Sequence, residues 1–292
     1  MLREFAPAKI NLFLHAGEKR PDGYHELESL VVFADVGDEL TLQESDQFRL
    51  DIEGPFARAL AKDETNLITR AAHVFAKFAQ VEPRVSITLT KNLPIASGIG
   101  GGSSDAAATM RGLCRLFPGR LGLTQLWDIG NELGADVPVS VMPGCWWMMG
   151  RGERFATVNQ VGTVDVVLVN AGAAVSTADV FGRLCERRGV GRMPKPPANS
   201  GTVTTLANYL KAAGNDLEAP AKELCAVIAD ELDALTRQDA PLARMSGSGA
   251  TCFGLFPDEV RARMAAEAIA REHPNWWVVA TKLNRGRKWE FQ

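Results

Sequence analysis

The residues best suited to chemistry lie in one short run, Gly98-Ile99-Gly100-Gly101-Gly102-Ser103-Ser104-Asp105. Four of the five residues from Gly98 to Gly102 are glycine, and an alanine-rich stretch follows. Without Cβ atoms such a turn lets backbone approach a ligand closely, and the unpaired N–H groups of a helix start attract an anion. The helix dipole adds only about 0.3–1 kcal/mol near a surface, so N–H hydrogen bonds must do most of the holding. The segment Pro94-Ile95-Ala96-Ser97 and the run through Ser104 are therefore read together as a phosphate-binding loop. No Gly-Lys-Ser/Thr closes it, which excludes a Walker loop. The G-x-G-x-x-G spacing fails at Ser103, and no convincing ribose carboxylate follows, which excludes a dinucleotide fingerprint. Phosphates held without a Walker lysine need positive charge from elsewhere, and Lys9, Lys91 and a bound Mg2+ are the candidates.

Four further signals are weak when taken singly. Asp136, two residues before Pro138, reads most simply as a helix N-cap, and Lys9 as a solvated strand lysine. Tyr24-His25 follows the turn Arg20-Pro21-Asp22-Gly23 and reads as surface, while Gly247-Ser248-Gly249 reads as a turn before a strand.

The elements that carry these residues follow from periodicity. Ile10, Leu12 and Leu14 alternate with Lys9, Asn11 and Phe13, which predicts an N-terminal strand with two distinct faces. Strands are also predicted at 30–33, 39–42, 48–52, 85–89, 165–170, 251–256 and 276–282. Asn66 is the expected cap of a helix whose apolar stripe is Leu67, Ala71, Val74, Phe75 and Phe78. A second helix follows the glycines, with Met110, Leu113, Cys114 and Phe117 inward. Thr124 is expected to cap a third, which stops at Gly134. Helices are further predicted at 203–213, 220–235 and 259–271, and an exposed Pro/Gly loop at 189–201. Strands interleaved with helices argue for α+β layers.

Composition narrows the classes. The 292 residues, 46% hydrophobic and 23% charged, suffice for a real core and suit two domains or one large one. A net charge of −3 is unlike a nucleic-acid-binding domain, so the basic stretches 183–195 and 282–288 read as solvated faces. No apolar run approaches the roughly 18–20 residues of a membrane span, and Lys9, Asn11 and His15 interrupt any signal-peptide core. The five cysteines, 114, 145, 185, 225 and 252, form no close pair, which predicts reduced thiols in a cytoplasmic protein. Trp146-Trp147 and Trp276-Trp277 are open to either core or contact roles.

Taken together these segments resemble the GHMP kinases. The resemblance rests on Ala6-Pro7-Ala8-Lys9-Ile10-Asn11-Leu12, Arg20-Pro21-Asp22-Gly23-Tyr24-His25-Glu26-Leu27, the glycine loop, Gly134-Ala135-Asp136-Val137-Pro138, Gly214-Asn215-Asp216-Leu217-Glu218 and Met245-Ser246-Gly247-Ser248-Gly249-Ala250. These motifs run in order through most of the chain. They are closest to the branch that acts on a cytidine diphosphate-linked methylerythritol, although Ile99 stands where leucine is common and Ala96-Ser97 replace glycine-like positions. The resemblance implies an α+β fold of two domains, 1–155 and 156–292, with the active site in the cleft between them. It implies ATP as phosphoryl donor, with Mg2+, and a tertiary hydroxyl as acceptor. Lys9 and Asp136 look like the catalytic pair, and Tyr24, His25 and Phe181 like the cytosine pocket. Asn11, Thr177 and Gly247-Ser248-Gly249 look like further substrate contacts. Asn66 and Lys91 are placed toward the adenine, and Ser104 as a phosphate or metal ligand. Other members of the superfamily, acting on homoserine, mevalonate or a sugar, are the alternative enzymes; a non-catalytic binding protein on the same fold is the alternative class. No nucleic-acid or membrane partner is expected.

Overall fold

The computed structural model describes residues 1–159, 161–184, 189–191, 193–196 and 202–285. Cys185, parts of the two basic stretches and most of the second half of the 189–201 loop lie outside them.

The chain begins with a long antiparallel hairpin, β1 (Leu2–Lys19) and β2 (His25–Glu44), closed by the Pro-Asp-Gly turn. β2 merges the two short strands expected at 30–33 and 39–42. β3 (Arg49–Glu53) leads through α1 (Leu67–Ala79) to β4 (Val85–Thr90), which pairs parallel to β3 and antiparallel to β2. Then come α2 (Gly101–Leu116), α3 (Leu123–Leu133) and the short α4 (Val137–Val141). β5 (Trp146–Gly150) pairs with the first half of β2, and β6 (Arg154–Thr157) with β5. The expected boundary after residue 155 falls inside β6.

The second half supplies β7 (Val164–Asn170), α5 (Thr177–Gly182), α6 (Val203–Ala213), α7 (Glu218–Leu224) and α8 (Val227–Arg237). β8 (Leu242–Met245), β9 (Cys252–Phe256), α9 (Glu259–Glu272) and β10 (Trp277–Leu283) complete it. Strand order along the main path is β3-β4-β2-β10-β7-β9-β8, and among the described residues β10 pairs with β2 at Leu283 opposite Ala34. That narrow junction still shares a core: Ile10, Leu12 and Leu30 pack with Val166, Leu168, Phe253 and Leu255. A second cluster packs α1, α2 and α3 on β2, β3 and β4, and a third packs α8 and α9 on β7 and β9. Burying a side chain such as Phe253 contributes about 2–3 kcal/mol.

Several expectations are corrected. The two-faced alternation of β1 breaks at a bulge between Asn11 and Phe13, so Leu12 and Phe13 both join the shared core while Leu14 joins the third cluster. The buried face of α1 is Ile68, Ala71, Ala72, Phe75 and Ala79, with Phe78 exposed. Small residues form that face because α1 lies against α2, itself rich in alanine. Gly122, rather than Thr124, is the N-cap of α3. The helix expected over 220–235 is two, parted at Cys225-Ala226. Trp146 and Trp147 are core: their indole N–H groups donate to Met142 O and to Glu28 Oε1.

Candidate active site

The glycine loop and the start of α2 are one structure. Helix geometry begins at Gly101, five residues before the alanine run that starts at Ala106, with Gly100 in a left-handed conformation as N-cap. Gly101, Gly102 and Ser103 therefore occupy the first turn, where peptide N–H groups have no intrahelical partner. Two glycines explain why the loop closes as it does. At Gly98, φ is +73° and a Cβ would lie 2.6 Å from Gly249 O, so the loop packs backbone to backbone on the Gly247–Gly249 turn. At Gly100 a Cβ would lie 3.1 Å from Lys9 Cε, which brings the Lys9 stem against the loop. Hydrogen bonds lock both contacts: Lys9 N donates to Ile99 O at 2.8 Å, and Thr251 N to Ser97 O at 3.0 Å.

Lys9 Nζ lies 3.1 Å from Asp136 Oδ1 and donates to Asn11 Oδ1 at 2.9 Å. Asp136 does occupy the N-cap position of α4, but its side chain makes no cap hydrogen bond and turns to Lys9 instead. The ammonium is buried, whereas the carboxylate is 38% exposed and open to the cleft. Arg111 holds α4 in place, donating to Ser140 O and Phe5 O and pairing with Glu4. Asn11 is fixed in turn by its amide bond to Ser29 Oγ and by Ser246 Oγ, which accepts the Asn11 N–H.

Opposite the loop, Asn215 donates to both Met245 O and Gly247 O at 2.9 Å, and Glu218 Oε2 accepts from Met245 N. The Gly-Asn-Asp-Leu-Glu motif thus shapes the turn that carries Gly247, Ser248 and Gly249. Ser248 Oγ lies 2.8 Å from Thr177 Oγ1, linking that turn to α5. Farther along α5, Phe181 stacks on His25 with ring centroids 5.3 Å apart and planes 19° from parallel. His25 Nδ1 is 3.0 Å from Gly17 O, and the exposed Tyr24 ring has the Arg151 guanidinium 5.6 Å from its centroid.

These groups line one cleft of about 1170 Å3. Every residue expected from the sequence to be catalytic or to bind phosphate, adenine or substrate borders it except Ile99 and Ser104. Ile99 is fully buried in the shared core, and the Ser104 hydroxyl is buried and donates to Pro7 O, so neither side chain meets a ligand there. Lys91 borders the cleft but is not a free phosphate cation: its ammonium is held 2.5 Å from Asp38 and 2.8 Å from Asp105, all buried. Burial acts to lower the Lys91 pKa, yet the charges of Asp105 and Asp38 hold it above its ordinary value. Burial, with the Asp38 charge, holds Asp105 above the usual carboxylate range against Lys91. Asn66 caps α1 through Ile68 N and donates to Ala61 O, shaping a loop whose Leu60, Ala61 and Thr65 also line the cleft. Sequence reading missed those three, and also Arg151, Met148 and Val175, none of which belongs to a motif it used.

A helix start with unpaired peptide N–H groups, a buried lysine paired to an accessible carboxylate, and a flat aromatic corner lie in one cleft, an arrangement suited to small-molecule phosphoryl transfer. The chain matches the family models "GHMP kinases N terminal domain" over residues 66–144 and "GHMP kinases C terminal" over residues 198–275. It is 47% identical to the 4-diphosphocytidyl-2-C-methyl-D-erythritol kinase of Parvibaculum lavamentivorans, covering 94% of this chain and 96% of that protein. Identity to the enzyme of that name from Ruegeria pomeroyi is 45%, covering 94% and 97%. A crystal structure of 4-(cytidine 5'-diphospho)-2C-methyl-D-erythritol kinase superposes with a TM-score of 0.79 at 31% identity, covering 98% of this chain and all of that one. Homoserine kinase from Cytophaga hutchinsonii, at 17% identity and a TM-score of 0.74, shares the fold. The chain belongs to the GHMP kinases, in the 4-diphosphocytidyl-2-C-methyl-D-erythritol kinase family.

Proposed function

We propose that this ATP-dependent kinase phosphorylates the 2-hydroxyl, a tertiary alcohol, of 4-diphosphocytidyl-2-C-methyl-D-erythritol, a step in the non-mevalonate route to isoprenoid precursors. The observation that carries the reading is the Lys9–Asp136 pair, 3.1 Å apart between the glycine loop and the Gly247 turn, in the cleft that also holds Tyr24, His25 and Phe181. The N–H groups of Gly101, Gly102 and Ser103 receive the ATP phosphates. The acceptor oxygen attacks the γ-phosphorus, the bond to the ADP oxygen breaks, and the hydroxyl proton passes to Asp136. Phosphoryl transfer is loose, so orienting the hydroxyl is the larger part of Asp136's work. Lys9 neutralises charge developing on the transferred group.

The base is held at the aromatic end of the cleft. His25 and Phe181 already cover each other's faces, so cytosine lies against Tyr24 and the rim of that stack rather than between the two rings. If Nδ1–H of His25 donates to Gly17 O, Nε2 is left as an acceptor, which suits the exocyclic amine of cytosine. Leu60, Ala61, Asn66 and Leu67 form the adenine side. Among the described residues no cluster of three His, Cys, Asp or Glu could cage a metal. Mg2+ would be held chiefly by the nucleotide phosphates, where the ion would neutralise phosphate charge. No helix of the described residues is long and apolar enough to cross a membrane. The free thiols of Cys114, Cys145, Cys225 and Cys252 favour a cytoplasmic setting.

The test is an ADP-release assay with ATP and Mg2+, offering the cytidine compound, homoserine and mevalonate in parallel. Release with the cytidine compound alone supports the reading. Release only with homoserine or mevalonate overturns the base pocket, and release with none overturns catalysis.

A further inference from the structure

One buried carboxylate takes no part in this chemistry. Glu231, on α8, is fully buried; its Oε1 accepts the Ala171 N–H at 2.6 Å, and its Oε2 has no hydrogen-bond partner. Ala171 follows the last residue of β7 and opens the segment that runs to Val175, Thr177 and Phe181, all lining the cleft. Its neighbour Asn170 accepts from Gly172 N and donates to Thr251 Oγ1, while Thr251 N reaches Ser97 O in the phosphate loop. Glu231 therefore grips the point where the α5 segment, the Gly247–Thr251 turn and the phosphate loop are tied together. A carboxylate is an unusual choice there, since an apolar residue would fill the space without the desolvation cost.

We propose that Glu231 is a positioning residue for the acceptor side of the cleft, its ionised carboxylate holding Ala171 and thereby the segment that delivers Thr177 and Phe181. This rests on the reading of those two residues as acceptor contacts. The titratable and charged groups facing Glu231 are Asp230 on its own helix and Cys252 on β9, with Glu218 and Lys222 of α7 acting on Cys252 in turn. From β7 it meets the Ala171 amide. Burial, with a small push from Asp230, carries its carboxyl up to about 7, against the stabilisation of the charged form chiefly by the Ala171 N–H. Near neutrality the grip is then adjustable. Protonation replaces a charge-assisted hydrogen bond with a neutral one of roughly half the strength, and the α5 segment loosens.

The experiment follows the Ala171, Thr177 and Phe181 amide resonances, together with acceptor KM and kcat, from pH 5.5 to 8.5 in the wild type and in Glu231→Gln. In the wild type the three amides shift with a midpoint near 7, and acceptor KM rises about three- to tenfold toward low pH. In Glu231→Gln the amides do not titrate, KM stays flat near the wild-type low-pH value, and kcat keeps its wild-type profile. A KM dependence that survives the substitution overturns the proposal, as does a wild-type Ala171 amide that does not move. The wild-type amide titration needs no variant, so a Glu231→Gln protein that failed to fold would not shelter the idea. Loss of turnover with the cytidine acceptor in the wild type would sink the function proposed above, while the common midpoint at Thr177 and Phe181 would still decide the positioning.

Discussion

Gly98→Ala tests how the cleft is assembled. At Gly98 the backbone is left-handed with φ +73°, and a Cβ would meet Gly249 O at 2.6 Å, Gly249 N at 2.8 Å and Ser246 O at 2.8 Å. All three atoms are backbone, so none can rotate away and the Gly247–Gly249 turn must shift. A left-handed alanine costs about 1–2 kcal/mol, and forcing packed groups apart about 1–3 kcal/mol more. Gly119 offers the matched control: it has the same φ of +73° with nothing within 4 Å of its Cβ. Urea unfolding should show Gly119→Ala destabilised by about 1–2 kcal/mol and Gly98→Ala by roughly 2–5 kcal/mol. Because the displaced turn carries the proposed substrate contacts and the loop the proposed phosphate contacts, Gly98→Ala should also raise KM for both substrates, and Gly119→Ala for neither. Equal destabilisation of the two variants would refute the claim that the loop and turn are held by backbone contact.

Three other outcomes are expected. Tyr24→Ala should raise acceptor KM about five- to hundredfold, since base stacking is worth about 1–3 kcal/mol, and leave the ATP KM unchanged in steady-state kinetics. Lys91→Met strands Asp38 and Asp105 in the interior and should destabilise the fold by about 3–5 kcal/mol in denaturant titration, with partial recovery on adding Asp105→Asn. Glu231 predicts a pH dependence of stability: its carboxyl rises from 4.5 to about 7 on folding, so the folded chain keeps a proton that the unfolded chain releases. The Glu231 contribution to stability is therefore fullest below pH 4.5 and falls as pH rises to about 7; thermal unfolding at pH 8 should find Glu231→Gln the more stable, by on the order of 3 kcal/mol.

Much of this was legible in the chain because local chemistry set it. The glycine cluster, the Asn66 cap and the 203–213 helix follow from short-range rules, and the structure holds all three. What sequence alone could not place depends on partners distant along the chain. The start of α2 at Gly101 needs Gly100 pressed on Lys9, some ninety residues earlier. Ser104 fits a phosphate-loop pattern, yet Pro7 O claims its hydroxyl. Lys91 suits phosphate by charge alone, but two buried carboxylates engage it. Short strands such as β6 and β8 carry too few residues for alternation to register, and they exist because β5 and β9 offer them an edge. The bulge in β1 is likewise invisible to a period-two pattern, because it is the pairing with β2 that slips.

The central claim is that Asp136, held by Lys9, directs a tertiary hydroxyl of the cytidine acceptor at the γ-phosphorus. Single-turnover phosphoryl transfer from ATP to 4-diphosphocytidyl-2-C-methyl-D-erythritol, followed by 31P NMR in wild type and Asp136→Asn, tests it most directly. The wild type should yield one new phosphomonoester on the methylerythritol end. Asp136→Asn should form it slower by roughly 10^2–10^4-fold with ATP affinity unchanged. Near-normal transfer by Asp136→Asn, or a product phosphorylated elsewhere, would contradict the account.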